Sequence, residues 1–396
     1  MSAKSTVFRA LALSGLGLLL GGGVVRAADA YDLHVVLPLT GGGSFVGKGQ
    51  QDSLEALAGV VNKAGGVNGQ PIHFVYHDDQ TSPQVAVQLT GEILAGKPKV
   101  VIGSSLVAMC RAMAPLLKTG PVHFCLSPGL HPTPGGFSFS SSSSSADQIA
   151  TTVRYYRDMG WTKLAALQST DASGQDGEDG IKAALARPEN ASMKLVALEH
   201  FNPTDISLTA QIEHIKESGA QAVLSWVTGA PAATVFKGAV QAGLDIPIAP
   251  SSGNQTFAQM TQWADFLPKK LVIPSALFPP HAGQFTLDPG VEKAQQDMYA
   301  VLAERGLKAD NMAATSWDAA LIVVAGLKAI GPNGTPEQLR AYIANLTGFA
   351  GIGGVYDFKA YPERGLGPEA SIVTAYDPVK KAFVWLSKPG GEPLGK

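Results

Sequence analysis

Residues able to do chemistry are scattered along this chain, and most of their spacings fail the reaction they suggest. Gly42-Gly43-Ser44-Phe45-Val46-Gly47-Lys48-Gly49 nearly matches the phosphate-loop spacing G-x-x-x-x-G-K-[ST]. That loop needs a hydroxyl after its Lys to hold Mg²⁺. Gly49 has none, so the segment reads as a glycine turn with one solvated Lys. His73 and His77 share one face of a strand beside Asp78 and Asp79. Four strand residues separate such side chains by roughly 13 Å, too far for one metal ion. The other histidines show no H-E-x-x-H pattern, and there is no G-x-S-x-G elbow. No carboxylate pair stands out by spacing. No enzyme activity, cofactor or metal is therefore expected. Cys110 and Cys125 are the only cysteines. An even count permits one disulfide in an oxidising compartment; two separate buried thiols fit as well.

What remains is small and polar, and it falls at predicted strand ends: Thr40 to Phe45, Ser104-Ser105, Ser127 to His131, Ser169 to Ser173, Trp226 to Gly229 and Ser251 to Asn254. In open α/β sheets ligands sit beyond the carboxyl ends of strands, where helix N-termini offer unpaired N–H groups. These clusters suit a binding site built from backbone and hydroxyl donors, although each is also an ordinary turn sequence.

The elements that would position them alternate strictly. Strands are predicted at 32–39, 72–77, 99–103 and 122–126, with helices at 50–64, 83–94 and 106–118 between them. The pattern then restarts. Helices at 147–159, 177–186, 206–218 and 232–242 alternate with strands at 163–168, 193–198, 220–226, 247–249 and 271–276. Helices follow at 290–305, 312–330 and 336–345, then a β-rich tail over 355–385. Such alternation argues for parallel sheets covered on both faces. The run Ser140–Ser145 between the halves reads as a surface linker.

Composition bounds the class. Of 396 residues 45% are hydrophobic and 16% charged, enough apolar surface for large cores and too much for a disordered chain. Lys+Arg 30 against Asp+Glu 32 gives no basic excess for nucleic acid. The N-terminus carries Lys4 and Arg9, an apolar run over 10–25 and the small residues Val25, Ala27, Ala28 and Ala30. That order is a secretory signal, with cleavage expected after Ala27 and a periplasmic location.

An ordered set of motifs carries a resemblance. Pro38-Leu39-Thr40-Gly41, Val61 to Gly69 with its Asn62 and Gly65-Gly66, Asp78-Asp79 with Pro83, Val101-Ile102-Gly103, Ser127-Pro128 and Asp147-Gln148 follow one another as they do in the periplasmic solute-binding proteins of branched-chain amino-acid-type ABC importers. The chain resembles that family from about residue 32 to 387. The resemblance implies a type I periplasmic binding protein: two doubly wound α/β lobes joined by a three-crossing hinge. Lobe one is expected at 31–146 plus 277–350, lobe two at 147–276 plus 351–388, and a flexible tail at 389–396. It implies a small ligand captured by hinge closure and delivered to a permease and ATPase complex at the inner membrane. A ligand-sensing receptor of the same fold is the alternative.

The ligand residues expected from these strand ends and from the family positions are Phe45, Ser104, Ser105, Val107, His131, Ser173, Trp226, Thr228, Ser252 and Asn254. Amino-acid binders of the family set a hydroxyl, an acidic residue and an aromatic where Val107, Ser252 and Ser173 align here. A buried ammonium without a counter-charge is costly. An aromatic or keto acid is therefore expected ahead of an amino acid, its acid group held in lobe one near Ser104, Ser105 and His131.

Overall fold

The computed structural model describes residues 30–395 apart from Ala282 and Gln284. The expected signal segment, 1–27, lies outside the described residues.

The first sheet is parallel, with strand order β2-β1-β3-β4-β5. It comprises β1 (Tyr31–Leu37), β2 (Ile72–Asp78), β3 (Val100–Gly103), β4 (Val122–Cys125) and β5 (Ser138–Ser140). Between them run α1 (Ser44–Lys63), α2 (Pro83–Ala95) and α3 (Val107–Met113). Period-two alternation assigns the faces. Leu33, Val35 and Leu37 of β1 enter the large core with Leu54 and Leu57 of α1, while Val36 packs with Ala86, Ile93 and Met113 on the other face. Helix α1 begins six residues before its apolar spacing starts at 50, inside the glycine segment. Gly47 explains how: a Cβ there would lie 2.2 Å from the Pro38 carbonyl oxygen, so only glycine lets the helix start against the end of β1.

The second lobe repeats the plan with α4 (Ser145–Asp158), β6 (Lys163–Ser169), α5 (Ala172–Leu185), β7 (Lys194–Phe201), α6 (Thr209–Glu217), β8 (Ala222–Leu224), α7 (Pro231–Gln241) and β9 (Ile248–Ala249). Its parallel sheet runs β7-β6-β8-β9. A short helix, α8 (Phe257–Gln262), precedes β10 (Val272–Ser275). The chain then returns to the first lobe as α9 (Pro289–Glu304), α10 (Asn311–Ile330) and α11 (Pro336–Ala344), whose Met298, Trp317, Ile322, Leu339 and Ile343 join its core. Helix α10 is long and apolar enough to cross a membrane, but it lies buried inside that core. The hairpin β11 (Thr347–Ala350) and β12 (Val355–Asp357) follows, then β13 (Ile372–Asp377) and β14 (Ala382–Trp385), which pair antiparallel with β10 in the order β10-β13-β14.

Three expectations are corrected. Ser140, Ser141, Ser142, Ser143 and Ser145 are buried, not a surface linker. They form the first passage between lobes, and all but the Ser145 hydroxyl find partners there: Ser141 Oγ donates to the Thr315 carbonyl at 2.8 Å, Ser140 and Ser142 lie 3.4 Å apart, and Ser143 and Ser371 share a bond of 2.6 Å. The third passage lies at Ser371 rather than near Gly351, because Ile352, Tyr356, Phe358, Leu366 and Ala370 all pack in the first core. The Asp318 carboxylate of α10 anchors this return, accepting from the N–H groups of Ile352 (2.8 Å) and Gly353 (2.9 Å) and from the Tyr356 hydroxyl (2.8 Å). Residues 389–395 are packed down, not a free tail. Leu394 N–H donates to the Leu386 carbonyl, and Lys388 N–H to that of Glu392. The disulfide left open above is formed between Cys110 of α3 and Cys125 of β4.

Candidate functional site

Between the lobes, at the carboxyl ends of both parallel sheets, lies an enclosed cavity of about 330 Å³. Six of the expected residues line it: Ser105 and Val107 from lobe one, and Ser173, Trp226, Thr228 and Ser252 from lobe two. Leu106, Met109, Leu126 and Met312 give it apolar walls; Gln50, Ser127, Ser142, Gln148, Asp176 and Thr315 add polar groups. A cavity of this size, mostly apolar with a few placed polar groups, is what a small solute requires.

Much of the polar wall is already organised. Ser105 Oγ donates to Gln50 Oε1. Across the cleft a hydroxyl chain runs from Ser173 to Thr228 at 3.2 Å, on to Ser251 at 2.7 Å and ends on the Val227 carbonyl at 2.9 Å. Trp226 is 2% exposed, and Gly177 of α5 packs so closely on it that a Cβ would lie 2.2 Å from its side chain. Asp171 caps α5, accepting from the N–H groups of Ser173 and Gly174. Helix α3, by contrast, opens on the cleft at Leu106 with no side-chain cap.

Four expected residues serve elsewhere. Ser104 is fully buried and donates to Asp79 Oδ2 at 2.5 Å; burial pushes that carboxyl up, against the opposing pull of the Ser104 bond. Asn254 is fully buried too, donating to the Val227 carbonyl at 2.5 Å and accepting from Gly229 N–H at 3.1 Å. It braces the turn that carries Thr228. Phe45 reaches across to lobe two, its ring 5.6 Å from Trp263 in an edge-on contact. His131 does not line the cleft, although Ser127, Pro128 and Gly129 just before it do; its Nε2 pairs with Asp176 Oδ1 at 2.6 Å.

Asp176 overturns one expectation directly. Lobe two does present a carboxylate to the cleft, though not at the aligned position Ser252. Its side chain is 4% exposed, and Arg111 Nη2 of α3 also reaches Oδ1 at 3.3 Å. Oδ2 has no hydrogen-bond partner, nor do Gln148 Oε1 and Ser252 Oγ. No Lys, Arg or His is among the lining residues.

The lobes are closed on each other. The Arg111–Asp176–His131 cluster crosses the mouth, Ala230 N–H donates to the Gly42 carbonyl at 3.0 Å, and Asn311 Nδ2 donates to the Ser252 carbonyl at 3.2 Å. Behind the cleft Arg364 is almost fully buried and donates to the carbonyls of Ser142, Pro128 and Leu130, tying the first hinge passage to the loop after β4. Burial pulls its guanidinium down to about 10. A larger groove of about 800 Å³ lies beside Phe45, Lys48, Asp52 and Lys308, but it opens to solvent and lacks convergent unpaired groups. Among the described residues no group of three or more His, Cys, Asp or Glu side chains is placed to hold a metal ion.

Sequence reasoning missed Gln50, Gln148, Asp176, Asn311 and Thr315. Asp176 sits in Gln175-Asp176-Gly177-Glu178-Asp179-Gly180, just before the helix predicted from 177, where neither its type nor its spacing singles it out. The signal that marks the inner face is the glycine pair: Gly177 presses on Trp226 and Gly180 on Ile149, so the neighbouring Asp176 is drawn to the cleft.

Comparison with known proteins agrees with this geometry. A family model described as periplasmic binding protein matches residues 34–372. A leucine-, isoleucine-, valine-, threonine- and alanine-binding protein from Pseudomonas aeruginosa is 24% identical over 249 residues, 61% of this chain and 64% of the relative. The match thus spans less than two thirds of that relative's length. An extracellular ligand-binding receptor from Rhodopseudomonas palustris superposes with a TM-score of 0.78 at 19% identity, covering 90% of this chain and 99% of the other. An R. palustris ABC transporter solute-binding protein in complex with benzoate gives 0.73 at 19% identity, covering 92% and 97%. At such identities the structural likeness is one of fold. With two α/β lobes, three hinge passages and an enclosed interlobe cleft, and with the family model covering most of its length, the chain belongs to the periplasmic binding protein family and has the type I fold.

Proposed function

We propose that this protein is the solute-binding component of an ABC importer: it captures a small organic acid or amino acid between its lobes by hinge closure, in the periplasm, and delivers it to a membrane permease. The enclosed cavity at the strand ends of both lobes carries this reading. Contacts from both lobes to one solute favour the closed state by their differential affinity. The hydroxyl chain Ser173–Thr228–Ser251 is a fixed array suited to orientation, not to turnover: no nucleophile–base pair lines the cleft. The uncapped start of α3 supports an acid group in lobe one. Isothermal titration of the mature protein with amino acids, 2-oxo acids and benzoate tests the reading. Saturable one-to-one binding of at least one probe, with no probe chemically altered afterwards, is expected. Turnover of a bound probe, or no binding by any, contradicts it.

A further inference from the structure

The turn Gly41-Gly42-Gly43, at the head of the segment that nearly matches a phosphate loop, lines no part of the cavity, yet it reaches lobe two. Its Gly42 carbonyl accepts from Ala230 N–H at 3.0 Å. The approach is backbone to backbone on both sides. Gly229 stands at a φ of 84°, and a Cβ there would lie 2.5 Å from the Gly42 oxygen. No side chain of the turn can make up for a misplaced carbonyl, so the contact depends on how the turn is held. Thr81 holds it. Its hydroxyl donates to the Thr40 carbonyl at 2.9 Å and accepts from Gly43 N–H at 3.0 Å, gripping the turn at both ends. Gly41, at a φ of 78°, packs so closely that a Cβ would lie 2.7 Å from the Gln80 carbonyl oxygen and from Thr81 Oγ1.

Thr81 takes this position under strain. Gln80 and Thr81 stand at φ 56° and 60°, in the left-handed region that a β-branched residue seldom adopts. Two carboxylates keep them there. Asp78 Oδ1 accepts from the N–H groups of Leu39 (2.9 Å), Thr40 (3.1 Å) and Gln80 (2.9 Å), and its Oδ2 from the Thr40 hydroxyl (2.7 Å). Asp79, fully buried, accepts from Thr81 N–H at 2.9 Å on Oδ1, while Ser104 occupies Oδ2. Strain of this kind persists only where the surroundings over-determine it.

The geometry assigns Thr81 the part of a positioning residue for closure. Resting on the solute-capture reading above, it presets the Gly41–Gly43 turn as a backbone latch that meets the start of α7 when the lobes close. The turn is ordered before closure, so its contact favours the closed state without a further ordering cost. The latch touches no solute, so every solute gains from it by the same factor.

Thr81 also borders the cavity, and a double-mutant cycle separates the latch from a direct solute contact. Calorimetry with L-leucine, L-alanine, L-glutamate, their 2-oxo acids and benzoate uses the wild type, Thr81→Val, Thr81→Ser, Gly229→Ala and the double variant Thr81→Val/Gly229→Ala. Thr81→Val keeps the shape and loses the hydroxyl. It should weaken every probe that the wild type binds by one common factor, about tenfold, by lowering the closed population. Thr81→Ser, which restores the hydroxyl, should recover most of that loss. Gly229→Ala obstructs the latch from lobe two without lining the cavity, so it should weaken the same probes likewise. The double variant should bind within a few-fold of the weaker single variant, because one latch can be lost only once. Thermal melting of the solute-free proteins reports whether each variant folds, and Thr81→Ala takes the place of Thr81→Val in the cycle if Thr81→Val does not. Losses that multiply in the double variant, a loss that differs among probes, or an unchanged affinity in Thr81→Val overturns the assignment and leaves solute capture intact. Silence from every probe with the wild type overturns both.

Discussion

At the scale of single residues, two kinds of buried group, an imidazole and two carboxyls, respond to pH in opposite senses. His123 is fully buried in β4, its Nε2 2.5 Å from the Gly103 carbonyl and its Nδ1 3.2 Å from Ser138 Oγ. Burial pulls its imidazole down to about 4. The unfolded chain takes up a proton near 6.5, which native His123 refuses until about 4, so stability is lost as pH falls through that window. The buried carboxyls of Asp310 and Asp318 are pushed up by burial to about 6 and act in the opposite sense, gaining stability as pH falls towards their unfolded values. The wild-type curve mixes the two signs; a difference between proteins separates them. Urea unfolding at pH 7 and pH 4.5 should show the wild type losing about 2–3 kcal/mol more than His123→Gln over that interval. Equal losses would place no titration at His123. Cys110 and Cys125 are 15 residues apart. Replacing both by Ser should cost about 3 kcal/mol by loop entropy, and thiol titration of unreduced, denatured protein should find no free thiol.

At the scale of elements, the alternation of strand and helix is written in short apolar runs and 3.6-residue spacing, so most strands and helices lie within a few residues of where the sequence puts them. What escaped is instructive. β5 is three residues, Ser138–Ser140, with Phe139 alone pointing to the core; so short a strand has no period to detect. Composition marks the Ser run as a linker because it cannot show that the hydroxyls of Ser140 to Ser143 each meet a carbonyl or a second hydroxyl. The hairpin β11–β12 is held to lobe one by Asp318, 33 residues upstream of Gly351, and nothing local in 351–370 announces that. The Tyr356 hydroxyl lies 2.6 Å from the Ser141 carbonyl and 2.8 Å from Asp318, joining this hairpin to the first hinge passage. Tyr356→Phe should therefore cost about 1.5–3 kcal/mol in urea unfolding, the value of a buried bond to a charged acceptor. An unchanged midpoint would mean the hydroxyl adds nothing. The cleft itself was legible as a set of strand ends, which placed Ser105, Val107, Ser173, Trp226, Thr228 and Ser252 together. Asp176 was not, because its exposure is decided by how Gly177 and Gly180 seat α5.

At the scale of the whole molecule, closure rests on few contacts. The Arg111–Asp176–His131 cluster, the Gly42–Ala230 bond and the Phe45–Trp263 ring contact span the lobes on the side away from the hinge. Removing one should shift the open–closed balance without unfolding either core. Phe45→Ala deletes an aromatic anchor that lines no part of the cavity, so it should weaken probe binding about tenfold through closure alone, with the preference among probes unchanged. A change in that preference would show that Phe45 touches the solute after all. The most direct test of the central claim is small-angle X-ray scattering on protein freed of bound small molecules by unfolding, dialysis and refolding, recorded with and without a saturating amount of the tightest-binding probe. Capture between the lobes predicts a smaller radius of gyration with the probe present and a curve that matches the closed structure described above. Superimposable curves, with binding confirmed in the same sample, would contradict it.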